Sequence, residues 1–253
     1  MYIYPTEEAA KEGRQVGGCG FLVLCALKAC GDSSTEFFIV TNRHVIEKLT
    51  EPFVRINRQS GGFDVVQTNR NRWKSHPDGD DVAALPFHGL SDEHEFLAIP
   101  SDVFLTSSDI EDLDVGIGDQ IAMIGRLIGH DGLVRNNPVA RFGNIAMMPG
   151  DAIQNAFAHP QETFLVECHS IPGFSGSPVF LVLSQVTRSL GGIRLPGAGF
   201  KLLGIDWMHV SNKELVRSRI GDPLKDGQYV EANTGVAGVI PAWRLWKLLD
   251  SFK

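Results

Sequence analysis

The chain has 253 residues, of which 43% are hydrophobic and 21% are charged, and 23 basic against 30 acidic residues give a formal net charge of -7. A chain of this length can bury a sizeable core, in one domain or in two small domains that share an interface. Binding to nucleic-acid phosphates needs clustered Lys and Arg; no basic run occurs, so we expect no nucleic-acid partner. The 27 glycines and 13 prolines predict many turns, which favours short strands over long helices.

Residues 1–15 are polar and predict an arm or a short helix. They have neither a positively charged leader nor the continuous apolar core of a secretory signal. The most apolar stretch, 21–27, is too short to cross a bilayer. We therefore predict a cytoplasmic protein with no membrane partner.

The four cysteines, at positions 19, 25, 30 and 168, are interpreted as reduced, buried, small apolar residues. Their spacing matches no zinc pattern, so we predict no metal site. A bridge between Cys19 and Cys30 would form only if the protein were secreted.

A glycine-flanked segment, 17–20, leads into the apolar run 21–24, and the polar loop 31–35 then turns the chain back. This pattern predicts a hairpin. Its second strand runs through 37–41 and ends near His44. A helical turn is predicted at 47–49.

Strands are predicted at 53–56 and 63–66, followed by the apolar segment 82–85, which Asp80 and Asp81 precede. Side chains alternate between the two faces of an extended chain. Only one of these adjacent carboxylates can therefore point at His44.

Residues 88–114 are acidic and contain Ser and Pro, which predicts a connection between two halves of the chain. The second half opens with a strand at 115–125. Its glycines Gly116 and Gly118 precede the apolar run, whereas a dinucleotide fingerprint follows a strand, so we predict no nucleotide cofactor. Further strands are expected at 139–147 and 163–168.

Ser175 stands in the glycine-containing stretch 172–178, just ahead of the apolar run 179–183. Glycine adopts φ values that other residues avoid and lets a second chain come close. The N–H groups of Gly173 and Ser175 could thus converge on one developing oxyanion. A Gly-x-Ser-Gly sequence alone is more often a turn between strands, so catalysis also needs a base and an orienting acid.

Beyond this stretch, strands are predicted at 201–207 and 236–240, and a polar insertion at 211–232. Proline at position 241 suits a first helical turn, and apolar residues then recur at helical intervals to 249. Trp243 and Trp246 are interpreted as core packing in this C-terminal helix.

Three segments, 41–45 around His44, 81–85 after Asp81 and 173–178 around Ser175, occur in this order along the chain. Together they resemble the trypsin/chymotrypsin-fold serine peptidases, particularly the bacterial branch that includes HtrA-like proteases and glutamate-specific endopeptidases. The resemblance implies an all-β fold of two six-stranded antiparallel Greek-key barrels, with the active site between them and a short C-terminal α-helix.

The resemblance divides the chain into four parts: an N-terminal arm at 1–15, a first barrel at 16–105, a second barrel at 106–240 and the C-terminal helix at 241–253. It implies a serine endopeptidase that acts on a protein or peptide substrate through an acyl-enzyme, without a cofactor.

The family pattern of an acid followed by Val-Ala selects Asp81 and leaves Asp80 as a solvated neighbour. The implied triad is His44, Asp81 and Ser175. His44 is the general base, Asp81 fixes its tautomer, and the N–H groups of Gly173 and Ser175 form the oxyanion hole.

The residues implied near the specificity pocket are His169, Asp206, Trp207 and His209. Glutamate-specific relatives carry a histidine where this chain has Asp206. A carboxylate there would favour a basic side chain by charge pairing, so we hypothesise cleavage after Arg or Lys. A shift by one position would instead direct Asp206 at the triad or at solvent.

Zymogen members of the family carry an aspartate immediately before the nucleophile, where this chain has Phe174, which excludes activation through that ion pair. We predict restraint by narrow specificity, by an unformed oxyanion hole, or by an activating protein partner that acts with segment 211–232.

Two other functions remain open at this point. One is a catalytically silent binding module on the same fold. The other is an esterase for small acyl substrates, although the strand predicted after Ser175 does not fit the strand-to-helix nucleophile elbow of the common esterase fold.

Overall fold

The computed structural model describes residues 1–15, 17–29, 32–126, 132–171, 173–183, 199–216 and 228–252, without the side chains of 27–29 and 32–34. Cys30, Pro172 and the outer part of the predicted polar insertion, 217–227, lie outside the described residues. Strands dominate the described part, and its helices are short. The predicted all-β class with a short C-terminal helix is therefore confirmed.

The first half of the chain is built from short strands that pair as two sheets. Their bounds are β1 Tyr2–Tyr4, β2 Gly18–Cys19, β3 Phe21–Ala29, β4 Asp32–Thr41, β5 Phe53–Asn57, β6 Phe63–Gln67, β7 Lys74–Ser75, β8 Ala83–Pro86 and β9 Ala98–Pro100. One sheet has the order β2-β1-β5-β6 and the other β7-β8-β4-β3-β9, in which β9 is parallel to β3.

These two sheets differ from the closed barrel predicted for 16–105. The sheets separate at Gly20, the residue between β2 and β3: its N–H donates to the carbonyl of Met1 at 3.1 Å. As a result β2 pairs with the N-terminal strand β1, while β3 pairs with β4.

The N-terminal residues form part of the first half and are not a separate arm. Strand β1 is buried and pairs with both β2 and β5. Helix α1 (Glu7–Glu12) follows, because the Thr6 side chain accepts from the Ala9 N–H at its start. Gly13, with φ of 67°, ends it in the left-handed conformation that glycine tolerates.

The second half contains the remaining strands. Their bounds are β10 Gln120–Gly125, β11 Val139–Met147, β12 Ile153–Gln154, β13 Pro160–Gln161, β14 Phe164–Glu167, β15 Pro178–Leu183, β16 Gly199–Leu215 and β17 Tyr229–Pro241. Six of them close into a barrel with the order β10-β11-β14-β17-β16-β15, and β12 and β13 form a separate hairpin.

Helix α2 (Arg43–Glu47) follows β4, helix α3 (Asp109–Asp112) lies in the connection, and helix α4 (Ala242–Asp250) follows the barrel. Short 3-10 turns lie at Arg70–Arg72 and Ser101–Val103. Among the described residues, no helix has the length and apolar character needed to span a membrane.

One hydrophobic cluster runs through both halves and includes helix α4. Leu245, Leu248 and Leu249 of α4 are fully buried, and burial of each such side chain contributes about 2 kcal/mol. The rings of Trp243 and Trp246 pack edge-on against Phe164 and Phe104. Both tryptophans thus serve core packing, as predicted, and α4 is anchored where the halves meet.

Candidate active site

The loop that carries Ser175 is held by backbone hydrogen bonds within the second half. The N–H of Ser177 donates to Phe174 O at 2.8 Å, and the Gly176 N–H donates to Asp206 O at 2.9 Å. The side chain of Phe174 is fully buried. Phe174, which is buried, and Gly176, which is hydrogen-bonded, fix the backbone on the two sides of Ser175. Ser175 itself is half-buried.

The same loop contacts the first half through Cys19 on β2. The N–H of Cys19 donates to Ser175 O at 2.8 Å, and its thiol donates to Gly173 O at 3.2 Å. Burial raises the pKa of the Cys19 thiol, so that it keeps the proton that it donates.

Gly176 has φ of 89°, and an added Cβ would lie 2.1 Å from Cys19 O and 2.5 Å from Thr41 Oγ1. Only glycine permits this approach. Thr41 in turn donates to Cys19 O at 2.7 Å and lies three residues before His44. The contact between the halves therefore brings the Ser175 loop beside the segment that carries His44.

His44 lies in the first turn of α2 and pairs with Asp81. Nδ1 of His44 is 2.5 Å from Oδ2 of Asp81, and the His44 backbone N–H donates to Oδ1 at 2.8 Å. The Asp81 side chain is 1% exposed and that of His44 is 16% exposed. Because the carboxylate only accepts, it favours the tautomer with the proton on Nδ1 and leaves Nε2 as an acceptor.

Two side chains hold the backbone of Asp81: Asn42, from the segment around His44, and Gln161, which no sequence motif selects. The Asn42 amide donates to Asp81 O at 2.9 Å, and the Asp81 N–H donates to Oε1 of Gln161 at 2.9 Å. Both are fully buried. Gln161 belongs to β13 in the second half, so residues from both halves set the position of this carboxylate.

Within the described residues, neither the N–H of Gly173 nor that of Ser175 donates to a protein acceptor. Gly173 has φ of 92°, and a Cβ added there would lie 3.1 Å from Nη1 of Arg126. Arg126 is 7% exposed. A buried guanidinium thus lies beside the predicted oxyanion hole, a feature that no local motif indicates.

Asp80 is not the solvated neighbour that the sequence predicts. It is 1% exposed, and Oδ2 lies 2.5 Å from Nε of Arg244 on helix α4. Oδ1 lies 3.2 Å from Nε2 of His159. Packing of α4 and of the loop before β13 over this segment removes water from Asp80 and supplies these partners.

Asp206 on β16 is 1% exposed, and its Oδ2 accepts from Ser170 Oγ at 3.0 Å. Burial raises the pKa of Asp206 to about 8, although the Ser170 hydrogen bond opposes this shift. Asp206 is therefore mostly protonated at pH 7. The role of Asp206 in specificity stays a prediction, and its burial differs from the open pocket lining that the resemblance implies.

The other predicted pocket residues differ in exposure. Trp207 is buried, His209 is half-buried and His169 is exposed. The carbonyl of His169 accepts from Nη1 of Arg141 at 2.5 Å. Among the described residues, no hydrogen bond or ion pair joins His169, Trp207 or His209 to the Asp206 carboxyl, whose hydrogen-bond partner is Ser170.

Cys19, Cys25 and Cys168 are buried thiols. Across the described ranges, no group of three or more His, Cys, Asp or Glu side chains is arranged to hold a metal ion.

The closed barrel, the sheets of the first half and the short C-terminal helix are consistent with the all-β, trypsin-like fold that the resemblance implies. Similar solved structures include the MamO protease domain from Magnetospirillum magneticum in its apo form, at 16% identity and a TM-score of 0.49, which covers 89% of this chain and 93% of that chain. Deg5 is 18% identical, with a TM-score of 0.41, and the match covers 75% of this chain and 78% of that chain.

The Rv3671c protease from M. tuberculosis, in an inactive form, is 15% identical, with a TM-score of 0.47 and coverage of 91% of this chain and 87% of that chain. No family model matches the sequence, and no curated protein matches it. At these identities, each name describes the protein that bears it and assigns no activity to this chain.

Proposed function

We propose that this chain is a serine endopeptidase whose triad is His44, Asp81 and Ser175. The observation that carries the proposal is the partly buried hydrogen bond between Asp81 and Nδ1 of His44. It leaves Nε2 as a base on a side chain that is still 16% exposed to solvent. An imidazole oriented in this way is the group that a serine hydroxyl needs in order to attack a carbonyl near neutral pH.

The proposed reaction has two steps, formation of an acyl-enzyme and its hydrolysis. Ser175 Oγ bonds to the peptide carbonyl carbon as its proton passes to Nε2 of His44, and the C–N bond then breaks as the imidazolium protonates the leaving amine. Water attacks the resulting ester with the same proton transfers and releases the acid. Asp81 stabilises the imidazolium in both steps.

The N–H groups of Gly173 and Ser175 are the proposed donors to the oxyanion. Support comes from their lack of a protein acceptor within the described residues and from the positive φ of Gly173. A donor of this kind typically contributes about 10²–10³ in kcat. The guanidinium of Arg126 adds positive charge close to this position.

Specificity for Arg or Lys remains a proposal, in a modified form. A protonated Asp206 does not attract a cation, so pairing requires loss of its proton. Because burial raises the pKa of Asp206 to about 8, we expect the preference for basic residues to be weak at neutral pH and to increase as the pH approaches 8.

Regulation by a protein partner is proposed at the end of the β16–β17 hairpin. Strand β16 runs out to Leu215 and β17 begins at Tyr229, and both of these side chains, together with Val230, are exposed. Exposed apolar side chains on a projecting ribbon are typical of protein contact sites.

A second candidate function is a silent binding module on the same fold. Among the described residues, no hydrogen bond joins Ser175 to His44, and this observation favours a site that is latent or inactive. Catalytic hydrogen bonds are often long in the absence of substrate, so the same geometry is compatible with the first proposal.

The test is hydrolysis of a peptide library and of small acyl esters by the protein, Ser175→Ala, His44→Gln and Ser177→Ala. Ser177 is a buried serine in the same loop, so its variant is the matched control. We expect peptide cleavage by the wild type and by Ser177→Ala, and none by the other two variants. Cleavage of esters alone would indicate an esterase, and no hydrolysis by well-folded protein would favour the silent module.

A further inference from the structure

Helix α4 contacts the chain segment that carries Asp81. Nε of Arg244 lies 2.5 Å from Oδ2 of Asp80, and Nη2 of Arg244 lies 3.2 Å from Oδ2 of Asp78. Lys247, one turn later, pairs with Asp78 at 2.5 Å. The backbone carbonyl of Arg244 also bonds to Nε2 of His76 at 3.1 Å. The helix therefore binds this segment at several points.

The ion pair between Asp80 and Arg244 differs from its exposed neighbour. The side chain of Asp80 is 1% exposed and that of Arg244 is 24% exposed. For the pair between Lys247 and Asp78, the exposed fractions are 53% and 37%. Exposed pairs contribute little, whereas removal of one partner from a buried pair leaves a desolvated charge. The Asp80 carboxylate also lies 3.2 Å from Nε2 of His159 and 3.5 Å from Nδ1 of His76, and Arg244 supplies the permanent positive charge that balances it.

Asp80 is also linked to the backbone around Asp81. The N–H of Val82 donates to Asp80 O at 2.8 Å, and the N–H of His76 donates to Val82 O at 3.0 Å. These bonds close the segment from His76 to Val82 into a compact loop. Asp80 and Asp81 are joined by a peptide bond, so a shift of the Asp80 backbone would act on Asp81 against the hydrogen bonds from Asn42 and to Gln161.

On the basis of the proposed function, we propose that Arg244 is a positioning residue for the triad. By binding Asp80 it fixes the backbone at Asp80 and Asp81, which keeps the Asp81 carboxylate on Nδ1 of His44. The C-terminal helix thereby controls the orientation of the general base from the far side of the segment.

The experiment compares Arg244→Met with Lys247→Met, which removes an ion pair from the same helix but leaves Asp80 bound. The readouts are kcat and KM on a cleaved peptide, and the NMR signal of the proton between His44 Nδ1 and Asp81. We expect Arg244→Met to lower kcat by about 10²-fold, because a misplacement of about 1 Å has that effect. KM should change little, and the proton signal should be lost.

Lys247→Met should leave both readouts unchanged. Arg244→Lys keeps the charge but not the planar fork, and it should restore part of kcat. Adding Asp80→Asn to Arg244→Met should also restore part of it, because a neutral amide then replaces the buried carboxylate that has lost the Arg244 charge. If Arg244→Met does not fold, Arg244→Lys takes its place, with a smaller loss of kcat expected.

The proposal is overturned if Arg244→Met, or Arg244→Lys in its place, lowers thermal stability while kcat and the proton signal stay at wild-type values. The network would then support the fold alone. If the wild type cleaves nothing, the proposed function fails, and the proton signal still decides the inference: its loss in the Arg244 variant supports positioning, and its retention contradicts it.

Discussion

Asp80 and Asp81 are consecutive residues whose carboxylates bind two different helices. Oδ2 of Asp81 lies 2.5 Å from Nδ1 of His44 on α2, and Oδ2 of Asp80 lies 2.5 Å from Nε of Arg244 on α4. Both side chains are buried, and both belong to the compact loop that runs from His76 to Val82. One short segment thus links the candidate base to the C-terminal helix.

Replacement of Asp81 by Asn should reduce catalysis without removing the side-chain volume. The amide can donate to Nδ1 and so stabilises the tautomer that has its proton on Nε2, where it cannot accept from Ser175. We expect kcat to fall by about 10⁴-fold, measured on a cleaved peptide. The comparison is repeated across a range of pH, and a loss below tenfold at every pH would show that Asp81 does not orient His44.

Asp206→Asn should change how stability depends on pH. The folded-state pKa of Asp206 is raised from 3.8 to about 8, so the native state holds its proton more tightly than the unfolded chain. The contribution of this bound proton to the free energy of unfolding is fully present below about pH 4. It is lost as the pH rises to about 8, at about 1.4 kcal/mol per pH unit. Denaturant unfolding of the wild type should show that its free energy of unfolding decreases over this pH range.

The Asp206→Asn variant keeps the shape of the side chain but has no ionisable group at this position. Its free energy of unfolding should therefore lack the pH-dependent contribution of Asp206. The difference in unfolding free energy between the two proteins, measured at pH 5, 7 and 9, should shift in favour of the variant up to about pH 8 and then level off. Parallel pH curves for the two proteins would show that Asp206 ionises normally in the folded state.

The preference for basic substrates should rise with pH. For peptides that differ only by Arg or its uncharged isostere citrulline at the cleaved position, pH effects common to both reactions cancel in the ratio of kcat/KM. We expect the Arg-to-citrulline ratio to rise by up to about tenfold per pH unit until Asp206 ionises near pH 8. A constant ratio in the wild type would remove Asp206 from the specificity pocket.

Gly176→Ala should disrupt the contact between the halves. Its Cβ would lie 2.1 Å from Cys19 O, so the Ser175 loop must move away from β2. We expect a loss of about 3 kcal/mol in unfolding free energy, together with loss of peptide cleavage. Gly235→Ala is the control, because φ there is 81° with nothing within 4 Å of an added Cβ.

The control variant isolates the backbone strain, which costs about 1–2 kcal/mol. Equal losses of stability in the two variants, determined by denaturant unfolding, would mean that the close approach of Gly176 to Cys19 contributes nothing.

Much of the fold could be predicted because its signals are local. Strand β11 has the predicted bounds, Val139–Met147, and β5 and β6 differ by only one residue. The pairing of β2 with β1, which places β2 and β3 in different sheets, could not be predicted, because the glycine-containing segment 17–20 does not reveal which strand it pairs with.

The candidate site also contains residues that the sequence identifies and residues that only the structure identifies. Local motifs select His44, Asp81 and Ser175, and their catalytic roles remain a prediction. Gln161 and Arg244 carry no such signal. Arg244 is 164 positions from Asp80, and the burial of Asp80 follows from tertiary packing that adjacent residues do not encode.

The central claim is that Ser175 is a nucleophile activated by His44. The most direct test is labelling with a fluorescent phosphonofluoridate, followed by intact mass measurement and peptide mapping, for the native protein, Ser175→Ala and heat-denatured protein. We predict one label per native chain, located on Ser175, and none in the variant or after denaturation. Well-folded native protein that takes up no label, or a label that persists in Ser175→Ala, would contradict the claim.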